Sequence, residues 1–214
     1  MVGVVALVVA LKPLVFTEED KGLVDSRGPA PTYTGTDFIP ESRAQNVADA
    51  MSAFMTYIQV SDEVAQDHFH GWEEKVWPLA AGDVQRWHKD YSPQAEAEGY
   101  YQVGERVVES VRLKENGYSE NRRTGGGRVE LGACIDSSGL QVVAPGSQDD
   151  GIPPGRYSVS VVMVHAPEKD DWGNLVPGKP GNWWISSYSV DGVQWEWQSS
   201  PDRASSCTDR EGSR

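Results

Sequence analysis

Four residues offer the pattern for proton-transfer chemistry. His88 and Asp90 share a predicted helix beside Tyr91, and Asp136 and His165 stand at the ends of predicted strands. An imidazole and a carboxylate brought together can act as general base and acid. The competing reading is purely structural. Asp136 then caps the turn into Ser137 and Ser138, as aspartate side chains commonly do, and His88 is a solvated helix residue. His68 and His70 form a His-x-His pair, but helical spacing would set their rings roughly 200° apart, which argues against a shared metal ion.

The two cysteines, Cys134 and Cys207, exclude zinc ribbons and CxxC redox motifs and permit one bridge. Such a bridge would close a loop of 73 residues. The chain-entropy argument values that loop at roughly 4 kcal/mol and fixes the tail to the strand that carries Cys134. In a reducing compartment both thiols would instead be free. No Gly-x-Ser-x-Gly elbow, phosphate-cradling loop or dinucleotide fingerprint occurs, and Gly125 to Gly127 lie between strands with no helix to supply a dipole. No cofactor or metal is expected.

Eight tryptophans form two groups. Trp72, Trp77 and Trp87 belong to the first half; Trp172, Trp183, Trp184, Trp195 and Trp197 belong to the second. Strand alternation puts Trp183 and Trp184 on opposite faces, so one of them is a candidate for exposure. An exposed aromatic face built from Trp183, Trp184, Trp195 and Trp197, with Trp87 and Tyr91 nearby, would contact a ligand or partner; simple core packing is the alternative.

These side chains need a scaffold, and 214 residues with 38% apolar content suffice for a single domain. The formal net charge of −13, with no Lys/Arg stripe, repels phosphate backbones and excludes nucleic acid as a natural partner. Residues 1–16 are an apolar segment, interrupted by Lys12 and Pro13, that resembles half an export signal. It lacks a basic start, an A-x-A site and a cysteine for lipidation, so an uncleaved membrane anchor, short or with its start mis-called, is the expectation. A buried valine-rich strand is the alternative.

Residues 17–40 read as a polar linker. Val47, Met51, Phe54, Met55 and Ile58 share one stripe of a helix over 42–59, a second helix is expected over about 62–76 and stopped by Pro78, and Val84, Trp87 and Tyr91 mark the inner face of a third. Ser92 and Pro93 would begin another short helix. After Gly104 the period becomes two. Strands are expected over 107–113, with a turn at Asn116 and Gly117, then over 129–135, 140–143, 157–163 and 183–190, the last joined to 193–197 by an Asp191-Gly192 hairpin turn. The class is α+β: N-terminal helices on a curved, mostly antiparallel sheet.

That order, with the stretch Ala133, Cys134, Ile135, Asp136, Ser137, Ser138, Gly139 and a Trp-rich closing hairpin, resembles the NTF2-like (SnoaL-like) cone domains, and within them exported or membrane-anchored actinobacterial members. The likeness covers residues 41–207, leaving 208–214 as a tail. It implies an extracytoplasmic, membrane-associated, non-catalytic domain that binds a protein partner or a small apolar ligand. A small cavity enzyme of isomerase or dehydratase type, and a structural subunit of a cell-envelope assembly that forms homo-oligomers through its sheet or helices, are the other roles the resemblance allows.

Overall fold

The structure is a computed structural model that describes residues 24–25, 35, 37–40, 42–121, 126–144, 155–166, 181–190 and 207. The apolar segment 1–16, the second strand of the C-terminal hairpin, Trp172, Trp195, Trp197 and the tail 208–214 lie outside the described residues.

Helix α1 spans Arg43–Gln66. Its five expected apolar residues are all buried, but the helix does not stop near residue 59 as expected. Ser61, Asp62, Val64 and Ala65 carry the same stripe onward into the core. The break comes instead at 67–71, where His68 (φ 53°), Phe69 (φ 63°) and Gly71 (φ 68°) turn left-handed. At its start, Asn46 holds both backbone groups of Ile39, accepting from its N–H at 3.1 Å and donating to its carbonyl at 2.8 Å. The end of the expected linker is thereby tied to the domain.

A short helix, α2 (Trp72–Lys75), and a 3-10 turn (Trp77–Leu79) lead into α3 (Gly82–Glu98). No new helix begins at Pro93, which sits inside α3. The carbonyl that proline cannot serve belongs to Lys89, and both residues are exposed, so water can satisfy it. The inner stripe of α3 is Val84, His88, Ser92 and Ala95, with Trp87 and Tyr91 half-buried at its flank. Gly99 (φ 74°) ends the helix in the left-handed conformation.

The main sheet has five antiparallel strands in the order β1 (Val24–Asp25), β3 (Val107–Asn121), β4 (Gly126–Asp136), β6 (Arg156–Ala166) and β7 (Asn182–Val190). β2 (Tyr101–Val103) and β5 (Gln141–Val143) form a separate antiparallel pair. Two expectations are corrected. Val24 and Asp25, placed in the linker, pair with Val111 and Ser110 of β3, because an open sheet edge offers unpaired backbone groups whatever the side chains beside it. Asn116 and Gly117 do not close a turn: β3 continues through them with a register shift between Leu113 and Tyr118. Asn116 takes φ 55° there, and a Cβ on Gly117 would meet the Glu130 carbonyl oxygen at 2.7 Å, which is the geometry of a bulge.

One sheet face is apolar. Val129, Leu131, Ala133 and Ile135 of β4 align with Met163, Val161, Val159 and Tyr157 of β6, and α1 and α3 cover this face. Among the described residues no helix is long and apolar enough to cross a membrane.

Candidate functional site

Polar residues enter this apolar interior from four elements and a loop and meet there. Asp62, on the last turns of α1, is 3% exposed. Its Oδ1 accepts from Arg106 Nε at 2.7 Å and its Oδ2 from the Arg106 backbone N–H at 2.8 Å. Arg106 Nη2 donates to Ser61 Oγ at 2.6 Å. The end of α1 is thus bound to the residue that precedes β3. Burial works against the Arg106 charge, but the carboxylate of Asp62 together with Tyr188, Tyr157 and Tyr57 outweighs it and holds the guanidinium firmly protonated.

The helical side contributes a second chain. His88 Nε2 lies 2.9 Å from Tyr57 Oη and His88 Nδ1 lies 3.2 Å from Ser92 Oγ. Both hydroxyls can donate or accept, so either neutral tautomer of the ring is satisfied. Burial, with Arg106 adding to it, lowers the His88 pKa to about 4, and burial pushes the Tyr57 hydroxyl above the ordinary phenol range. Tyr157 of β6 and Tyr188 of β7 complete the group. Burial raises both pKa values, and both are electrostatically coupled to each other and to Arg106.

Of the residues expected to carry chemistry, only His88 belongs here, and it is not solvated: it is 4% exposed. Asp90 is exposed on the opposite side of α3, so the two form no dyad. Asp136 and His165 form none either. Asp136 pairs with Arg156 and His165 with Gly127, which places them at opposite ends of the β4–β6 ladder. Asp136 is near the surface, where its Oδ1 accepts from the Ser138 N–H at 2.8 Å; that backbone bond leads the effects that lower its pKa. His165 is buried between Phe38 and Trp183, ring centroids 5.5 and 5.3 Å away. A Cβ on Gly181 would come within 2.4 Å of His165 Cε1, so this nest requires glycine at that position. His68 and His70 lie on the turn after α1 with ring centroids 6.2 Å apart, and His70 approaches Asp67 and Glu96.

The tryptophans divide as alternation requires. Trp183 is fully buried, whereas Trp184 points to the other face and donates from Nε1 to the Pro78 carbonyl at 3.0 Å. Beside Pro78, Trp77 is 39% exposed. Trp87 stacks on Tyr91 at 4.7 Å.

On the outer face of the sheet, Cys134 is joined to Cys207 by a disulfide. Glu109 Oε2 lies 3.0 Å from the Cys134 sulfur and accepts from Arg156 Nε at 2.8 Å. With both sulfurs in the bond, neither offers a thiolate to a metal.

Most of the interior group escapes a reading of periodicity. Tyr57 carries an aromatic ring that passes for core, and Arg106 sits in a loop. The available signals were Ser61 and Asp62, three and four residues beyond Ile58 on an apolar stripe, and His88 and Ser92, four and eight beyond Val84. A polar side chain at a core-facing position demands a buried partner.

No protein-family model matches this chain, and no curated protein does. Among solved structures, the chain is similar to the intermembrane space region of the chloroplast protein ARC6, with a TM-score of 0.40 and 12% identity over 67% of this chain and 94% of that one.

Proposed function

We propose that this is a non-catalytic binding domain with an NTF2-like cone, located outside the cytoplasm, whose interior takes a small, largely apolar ligand. The observation that carries the reading is the mutual saturation of the groups that would have to do chemistry. Among the described residues the one buried carboxylate, Asp62, is consumed by Arg106, and the histidine of the group has both ring nitrogens engaged by Tyr57 and Ser92. What remains is a set of donors suited to holding a ligand. Helices laid over one apolar face of an antiparallel meander support the cone, and the Cys134–Cys207 bond supports an oxidising compartment. Residues 1–16 would supply the membrane tether.

The test is saturable binding of the neutral fluorophore 1-aminoanthracene, with enhanced and blue-shifted emission at one site per chain. Tyr188→Trp, which adds bulk beside Arg106, should weaken it. Linear, unsaturable emission would overturn the reading.

A specific surface favours a protein partner as the second reading. Trp77, Pro78 and Trp184 form an aromatic ledge outside the core. Loss of a crosslinked envelope partner on Trp77→Ala with Trp184→Ala, while 1-aminoanthracene binding persists, would favour that surface.

A further inference from the structure

We propose that Arg106 and Tyr157 receive the carboxylate of a small apolar monocarboxylic acid, an assignment that rests on the reading of the interior as a ligand site.

A guanidinium presents two edges that can each hold an oxygen pair. The side edge of Arg106, Nε with one Nη2 proton, is occupied by Asp62 and Ser61. The end edge, Nη1 with the second Nη2 proton, has no acceptor among the described residues. The pair is also open on that partner: the Arg106 side chain is 15% exposed against 4% for Asp62. A half-buried guanidinium with one edge unused is a strong donor for a planar acceptor.

The surroundings specify the acceptor further. Apart from Asp62, the groups coupled to this guanidinium are the neutral ring of His88 and the tyrosine hydroxyls of residues 57, 157 and 188. Tyr57 is committed to His88. Tyr157 is coupled both to Tyr188 and to the guanidinium, and its hydroxyl is a donor that a carboxylate can use. Burial keeps both phenols protonated at neutral pH, so they offer donors and no negative charge. Since Arg106 and Asp62 together carry no net charge, an incoming carboxylate meets the guanidinium edge and a phenol donor and no uncompensated anion. The body of the acid would lie against tyrosine rings and the half-buried Val190.

The experiment uses the full chain and measures binding of 1-naphthoate and of its neutral analogue 1-naphthalenemethanol, by calorimetry and by displacement of 1-aminoanthracene. Naphthoate should bind at least about 10-fold more tightly than the alcohol, in keeping with charge-assisted bonds. Arg106→Lys keeps the charge opposite Asp62 but lacks the end edge, and should abolish the preference. Tyr157→Phe removes one donor, keeps the ring, and should reduce the preference severalfold; it carries the test if the lysine variant fails to fold. Equal binding of acid and alcohol, or a preference that survives both substitutions, would overturn the carboxylate assignment and leave the apolar-ligand reading standing. Binding of 1-aminoanthracene without displacement by naphthoate would have the same meaning. Failure of all three compounds to bind would sink both.

Discussion

Acidification should cost this protein about 3 kcal/mol of stability through His88 alone. Its pKa falls from the ordinary 6.5 to about 4 because the ring is buried, with Arg106 adding to the effect. Each unit of difference between folded and unfolded pKa is worth about 1.4 kcal/mol, which sets the magnitude. The sign follows from proton uptake. Above about pH 6.5 the ring is neutral in both states and contributes no slope; between 6.5 and about 4 the unfolded chain binds a proton that the folded one refuses, so stability falls with pH. Below that window the loss is complete. Urea unfolding at closely spaced pH values, for the natural protein and for His88→Gln, isolates the contribution, since carboxylates titrate in both and cancel in the difference. The two stability curves should converge by about 3 kcal/mol as the pH drops from about 7.5 to 4. The His88 Hε1 resonance, assigned by its disappearance in the variant, should not titrate until the pH nears 4. Parallel curves, or a midpoint near 6.5, would refute the burial argument.

Other substitutions probe the rest of the fold. Asp62→Ala leaves Arg106 charged without its partner and should destabilise by about 3 to 5 kcal/mol, read by urea unfolding. The double change Asp62→Leu with Arg106→Met should recover most of that loss. Trp183→Ala removes the largest fully buried side chain among the described residues, so the thermal midpoint should drop in line with about 3 to 5 kcal/mol. Gly181→Ala drives a methyl group into the His165 ring and should cost about 1 to 3 kcal/mol, whereas the same change at Gly139, where a Cβ meets nothing within 4 Å, should be nearly silent. Reduction of the bond between Cys134 and Cys207 frees a loop of 73 residues and should cost up to about 4 kcal/mol, with non-reducing peptide mapping confirming the pair beforehand.

Local pattern determined a good deal of this molecule. The apolar spacing from Val47 to Ile58 specified a helix face, and the alternation from Val129 to Ile135 and from Tyr157 to Met163 specified two half-buried strands, because those periods follow from backbone geometry alone. The same alternation separated Trp183 from Trp184. Charge and motif content likewise stood against nucleic-acid and nucleotide chemistry without any fold.

Tertiary structure decided what the periods leave open. Whether α1 stops at Gln59 or runs to Gln66 depends on whether Asp62 can be buried, and it can only because Arg106, 44 residues away, closes on it. His88 reads as a surface histidine until Tyr57 from another helix is seen to take its Nε2. Pairing register moved Asp136 and His165 apart, since strand neighbours in space are set by hydrogen-bonding partners and not by position along the chain. A polar group in a protein interior is fixed by partners distant in sequence, so the candidate site, unlike the helices and strands, existed only once the chain was folded.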